Sequence, residues 1–273
     1  MIEMDILQVL RYEFVQRAFL AGVFIAIVCS LLGVLLVLRR LSLIGDGLAH
    51  VTFGSVAVGL LLNQQPVYTA LPIVVISSLG IMKLIEKARL FGDAAIGIVS
   101  SAGIAGGILI VSVAGGFNVD LFSFLFGNIL AISRAEVITS LLLSITVLIM
   151  ITFFYYEHFS TTFDEEFAKV SGIDTEKINA LLVMLTGVTV VLTMKVVGIM
   201  LTSSLLILPA VTALQVAKSF RMTMIIATCA SVCSVVSGIL ISLFLNLPTG
   251  ATIVMMNLTL FICAVFFRVI KHH

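Results

Sequence analysis

Leu43-Ile44-Gly45-Asp46-Gly47-Leu48-Ala49-His50 opens an apolar run that continues to Leu62. An acid and an imidazole stand four residues apart in it. On a helix, residues i and i+4 share a face about one turn apart. Ionisable groups at membrane depth are costly and rare, and by default they mark an ion or proton pathway. A carboxylate oxygen and an imidazole nitrogen are also suitable ligands for a divalent metal. The competing reading is structural: an Asp–His hydrogen bond that pins this helix to a neighbour. Small residues surround and follow the pair: Gly45, Gly47, Ala49, Gly54, Ser55, Ala57 and Gly59. Ser55-x-x-x-Gly59 has the spacing that lets helices approach closely. The expectation is a helix packed on several sides, with its polar face toward an interior cavity.

The rest of the chain is of the same kind. Of its 273 residues, 61% are hydrophobic and 11% charged, where soluble proteins carry about 25% charge. With a mean hydropathy of +1.27, residues 1–273 read as one all-α transmembrane domain. A net charge of +1 gives no basic surplus to suggest nucleic acid. Trp is absent, so anchoring at the lipid interface falls to Tyr, Phe, Lys and Arg. Cys29, Cys229, Cys233 and Cys263 lie in apolar segments with no CxxC pair, and read as small buried hydrophobes. The first sixteen residues mix Glu3, Asp5, Arg11 and Glu13 with apolar positions. They lack the layout of a signal peptide and suit an amphipathic helix on the membrane surface.

A spanning helix needs about 20 apolar residues. Runs of that kind cover 18–38, 43–62, 67–84, 94–114, 135–156, 178–194, 198–217, 223–245 and 251–267. The fold class is therefore a polytopic helical membrane protein with about eight or nine spans, one weak segment deciding the count. Residues 118–132 are apolar but short, and read as a helix dipping in from the outer face. Within them, Asp120 is a helix N-cap, the preferred reading, or with Asn128 the mouth of a pathway.

Cytoplasmic loops carry the Lys/Arg excess. Alternating nine spans from an outer N-terminus places Arg39, Arg40, Lys83, Lys87, Arg89, Lys169, Lys177, Lys218, Arg221, Arg268 and Lys271 inside, and Arg11, Arg17, Arg134 and Lys195 outside. At about 1.5 Å per residue, Asp46 then lies roughly 9 Å beyond Arg40 and His50 roughly 15 Å. That is near the middle of a hydrocarbon core about 30 Å thick.

The longest polar stretch, 157–177, falls inside. In it, Phe163, Phe167, Val170 and Ile173 recur at one helix face. Glu165 and Glu166 lie near the start and Gly172 near the end, as the helix dipole and C-terminal capping favour. An acidic start is repelled by the negative inner leaflet, so this apolar face suits a partner's groove better than the membrane surface.

No phosphate-binding G-x-x-x-x-G-K-[ST], no H-E-x-x-H and no G-x-S-x-G occurs. Three blocks do carry a resemblance: Arg39-Arg40-Leu41-Ser42-Leu43-Ile44-Gly45-Asp46-Gly47-Leu48-Ala49-His50, Val119-Asp120-Leu121 with Leu125-Phe126-Gly127-Asn128-Ile129-Leu130, and Gly198 through Ala210. In this order they resemble the membrane permease subunit of bacterial ABC importers for zinc, manganese and iron, with Ala49-His50 and the block through Leu130 closer to the zinc-uptake branch. The resemblance implies a multi-pass plasma-membrane homodimer working with two cytoplasmic ATPase subunits and an extracytoplasmic metal-binding protein. It implies that Phe163 to Ile173 is the coupling helix seated on the ATPase. Zn²⁺, or Mn²⁺ or Fe²⁺, would be substrate, with no permanently bound cofactor and no enzymatic activity in this chain.

Two ligands are too few for a transition metal, which commonly takes four or more. A symmetric dimer with these faces on a shared axis would supply two carboxylates and two imidazoles. Such a site must be transient, because a conducting site has to release its ion. Two other classes remain in view. A proton-driven secondary transporter would use Asp46 and His50 as its relay and show internal repeats, and no repeat between the halves is visible. An intramembrane metalloenzyme would need at least three ligands and a general base. Only His50 lies inside a span; His158, His272 and His273 fall at or beyond helix ends.

Overall fold

The computed structural model describes residues 12–88, 90–115, 127, 133–196 and 198–272. The expected dipping helix at 118–132, with Asp120 and Asn128, lies outside the described residues, as does the N-terminal stretch before Tyr12. Regular structure among the described residues is helical throughout: α1 Glu13–Leu38, α2 Ile44–Leu61, α3 Pro66–Glu86, α4 Gly92–Val113, α5 Arg134–Phe153, α6 Tyr155–Phe163, α7 Glu165–Val170, α8 Thr175–Val196, α9 Thr202–Val216, α10 Phe220–Leu245 and α11 Thr249–His272.

Eight of these helices are long and apolar enough to cross a membrane. The ninth expected span is α9, of 15 residues. Its length of roughly 22 Å falls short of the hydrocarbon thickness. Gly198 is the cause. Its φ of 94° is one that residues with a Cβ rarely adopt, and it breaks the chain into a short 3₁₀ turn, Ile199–Leu201, ahead of α9. Threonines stitch the break. Thr202 Oγ1 donates to the Gly198 carbonyl at 2.8 Å and lies 2.8 Å from Thr193 Oγ1 on α8. Main-chain groups freed by the break thus keep partners away from water, as membrane depth demands.

Helix ends meet as the alternating topology requires. Arg134 at the start of α5 reaches Glu13 at the start of α1 at 2.7 Å. Arg39, just past α1, reaches His158 of α6 and Asn179 of α8. Arg268 near the end of α11 donates to Gln215 near the end of α9 at 2.7 Å. Each link joins two ends that alternation puts on the same side.

Burial sorts the helices into layers. The central window of α1 is 67% buried, and those of α8 and α2 are 67% and 61%, against 17% for α4, 22% for α5 and 11% for α11. The first three form the centre and the last three the outer wall. Ile25, Leu32, Leu35 and Leu36 of α1 are among the large fully buried side chains. Helix α9 presses on α1 where Gly33 meets the Leu206 carbonyl, with no room for a Cβ between them.

Two sequence expectations need correction. Glu13 belongs to the long α1, which starts five residues before the expected span, and the Glu13–Arg17 and Glu13–Arg134 pairs hold that extra turn. Of the cysteines, Cys29 is buried while Cys229, Cys233 and Cys263 are exposed. An apolar run does not say which face meets the protein, because lipid accepts the same residues as the core.

Candidate functional site

The turn between α1 and α2 sets where Asp46 stands. Arg40 is left-handed, with φ of 59°. Its N–H bonds the Val37 carbonyl, and the Leu41 N–H bonds the Leu36 carbonyl at 2.9 Å. This is the Schellman stop of a helix, made here without glycine. The Leu41 and Leu43 carbonyls then accept from Ile44 and Gly47, both at 3.0 Å, so the main chain is hydrogen-bonded from Arg39 into the first turn of α2. Asp46 lies in that turn, where the helix dipole favours a carboxylate.

Asp46 Oδ2 is 3.5 Å from His50 Nε2, and the two side chains are 49% and 21% exposed. Helix α2 is buried along most of its surface, and Asp46, His50 and Phe53 form a stripe that is only partly covered. In the single chain the polar face of α2 is thus a partly covered stripe. The pinning reading loses its geometry: both groups are on one helix, and His50 Nδ1 is buried without a hydrogen-bond partner. Among the described residues no group of three or more His, Cys, Asp or Glu could hold a metal. Among the described residues the chain brings one carboxylate and one imidazole together here, and no third such group.

The side of α2 next to this stripe is fused to α4, and Phe53 itself lies against Gly107. A Cβ on Gly103 would lie 2.7 Å from Val51 Cα, one on Gly54 2.5 Å from the Gly103 carbonyl oxygen, and one on Gly107 2.9 Å from Gly54 Cα. These contacts are backbone against backbone. Of the small residues read from the sequence, Gly47 and Gly54 serve this contact, while Gly45 faces Leu206 of α9 and Gly59 faces Thr69 of α3; hydroxyls within α2 fold back on their own helix, Thr52 to the Leu48 carbonyl and Ser55 to that of Val51, both at 2.8 Å.

The polar segment departs from the expected single amphipathic helix. Asp164, at φ −150° and ψ 95°, separates α6 from α7 and caps α7 by accepting the Phe167 N–H at 2.9 Å. A residue that can cap a new helix competes with the old one, and here the cap wins. Phe163 therefore ends α6, where its ring packs on Phe159 and Phe220 at centroid distances of 4.9 and 5.8 Å. Phe167 and Val170 stand on α7, 65% and 88% exposed. Ile173 leaves the face and is partly buried beside Leu79, Phe154 and Leu181. Gly172 is left-handed at φ 87° and closes α7 as expected. Glu165 pairs with Lys169 at 3.1 Å and accepts from Thr175, tying α7 to α8; the pairing raises the Lys169 pKa. Glu166 lies beside it on the exposed first turn.

Sequence reasoning missed one constellation. His158 is not at a helix end; it lies within α6 and is 1% exposed. Arg39 Nη2 donates to the His158 carbonyl at 3.1 Å and lies 3.4 Å from its Nδ1, while Nε donates to Thr162 Oγ1 at 2.9 Å and Nη1 to Asn179 Oδ1. A guanidinium only donates, so Nδ1 accepts and the neutral ring carries its proton on Nε2, which is buried without a partner. Burial, then the Arg39 charge, push the His158 pKa down to about 4. Burial also lowers Arg39 to about 10, partly opposed by Glu165. In the sequence the arginine stood out as a topology signal and as the start of the first resemblance block, not as a partner of His158.

Comparison with known proteins gives the family. The chain is 33% identical over 260 residues to the manganese transport system membrane protein MntC of Halalkalibacterium halodurans, covering 95% of this chain and 89% of that one. It is 30% identical over 257 residues to the high-affinity zinc uptake system membrane protein ZnuB of Haemophilus influenzae, covering 94% and 98%. Its fold is similar to that of PsaBC from Streptococcus pneumoniae, solved in complex with Fab, with a TM-score of 0.81, 29% identity, and coverage of 94% of this chain and 93% of that one. The relatives divide between metals, so the zinc branch is not singled out. The pattern of the ABC 3 transport family matches residues 11–268, and the chain belongs to that family: it is a multi-pass metal-transport permease of the bacterial inner membrane.

Proposed function

We propose that this permease carries a divalent first-row transition metal, zinc by preference, between the Asp46/His50 stripes of two copies. The observation that carries the reading is the 3.5 Å pair on a partly open face of α2. A carboxylate half exposed at that depth is costly against lipid. A second copy of the same face would cover it and raise the ligands from two to four. Two imidazoles and two carboxylates suit zinc, whereas manganese favours all-oxygen sets. Manganese is the second reading, because a relative named for manganese transport is 33% identical.

In this reading the ion arrives from an extracytoplasmic metal-binding protein, and ATP is hydrolysed by two cytoplasmic subunits seated on the exposed apolar residues of α6 and α7. Phe163, Phe167 and Val170 supply the anchors, with Glu165, Glu166 and Gly172 shaping the segment. The ligands separate when the ATPases change state, which releases the ion. The test is uptake into proteoliposomes holding the permease with its ATPase, with zinc and manganese supplied singly and together. Zinc uptake that excess manganese does not suppress supports the reading. Manganese uptake with no zinc uptake moves the chain to the second one. Uptake driven by a proton gradient without ATP would overturn both.

A further inference from the structure

Arg39 holds together three elements that the chain keeps far apart. Its guanidinium bonds His158 and Thr162 of α6 and Asn179 of α8, which lie 119, 123 and 140 residues away in sequence. Its own backbone is fixed by the Schellman stop of α1, and from there hydrogen bonds run through Leu41 and Leu43 into the turn that carries Asp46. Among the described residues its bonds go to neutral acceptors; the carboxylate that acts on it, Glu165, does so through space and sits on α7. A cation drawn partly out of water and held by neutral groups is an expensive choice for a mere spacer. His158 Nε2, on the same ring, is buried with no hydrogen-bond partner among the described residues.

We propose that Arg39 is a positioning residue that transmits movement of α6 and α7 to α2, and so opens and closes the Asp46/His50 pair. The inference rests on the reading of α6 and α7 as the ATPase-coupling segment. The mechanical path is short: α6 side chains, guanidinium, five-residue turn, metal face. Because Arg39 lies between α6 and α2, it would touch neither the ion nor the nucleotide. Its loss should leave hydrolysis running while the metal face stops following.

The experiment uses the permease reconstituted with its ATPase, measuring zinc or manganese uptake and ATP hydrolysis in the same vesicles. Arg39→Gln should keep the ATPase bound and lower the metal moved per ATP by about three- to thirtyfold, the range of energetic coupling lost along such networks. Arg39→Lys should not restore the ratio, since one ammonium cannot span the three acceptors that the guanidinium fork reaches. If Arg39→Gln does not fold, the Thr162→Val/Asn179→Leu double variant keeps the charge and carries the same expectation. A wild-type ratio in any folded variant of this set, Arg39→Lys included, overturns the proposal. So does a fall in uptake that merely tracks a fall in melting temperature. Failure of the coupling reading looks different: a Phe163→Ala/Phe167→Ala variant would then retain its ATPase.

Discussion

The Arg39 guanidinium stands 3.4 Å from Nδ1 of His158, a buried imidazole. Burial of the ring, and after it this contact, make stability depend on pH. The native pKa of His158 is about 4, below the ordinary 6.5, so the folded protein prefers the neutral ring. The contribution is complete above about pH 6.5 and is lost as pH falls toward 4. The interval is worth about 3 kcal/mol at most. Thermal melts in detergent should show wild type losing stability between pH 7 and 5 more steeply than His158→Gln, which has nothing to protonate there. Parallel profiles for the two would reject this account.

Asp46→Asn keeps shape and removes charge, and His50→Ala removes the nitrogen. Each is expected to lower metal uptake by more than about a hundredfold, beyond the usual cost of losing an outer-shell partner. Melting temperature should hold, because among the described residues neither side chain bonds another helix and both lie on a partly open stripe. Wild-type uptake by Asp46→Asn is enough to reject a ligand role.

Replacing Phe163 and Phe167 by Ala should release the ATPase. Both rings are more than half exposed, and such anchors are worth about 2 kcal/mol each when a partner pocket holds them. Co-purification at wild-type yield, with normal uptake, contradicts this expectation.

Gly103→Ala should lower stability by about 1–3 kcal/mol, because its Cβ would strike Val51 backbone 2.7 Å away and the helices would have to part. Gly106→Ala, one turn along α4, meets nothing within 4 Å. It should be neutral or stabilising by about 1 kcal/mol through helix propensity. Equal melting shifts in the two would show that α2 and α4 are not locked together.

The spans were legible because a membrane helix needs only a long apolar run, and α3, α4 and α10 start and end within a few residues of the expected positions. Asp46 and His50 were legible because charge inside such a run stands out. What could not be read was which face each helix turns inward: lipid and protein take the same side chains, so Cys29 and Cys263 look alike in sequence and differ in burial. The break at Asp164 was hidden by a periodicity that runs through it, since Phe163 and Phe167 keep helical spacing on two separate helices. The bond from Arg39 to Asn179 spans 140 residues, and no local pattern announces it.

The backbone contact of Gly54 with Gly103 and Gly107 limits what kind of motion can gate the ion. Two helices touching main chain to main chain have no side-chain layer to slide on. They must turn as one plank, so any swing of Asp46 and His50 also sweeps the far face of α4. That face carries Gly97, Ser101 and Ala105 at successive helical turns, all exposed. Exposed Ile98, Ile108 and Leu109 stand on or beside the same face, so whatever lies against it has to move with α4 or repack. In the proposed reading the moving part is therefore the α2–α4 pair as a whole, not the Asp46 and His50 side chains alone.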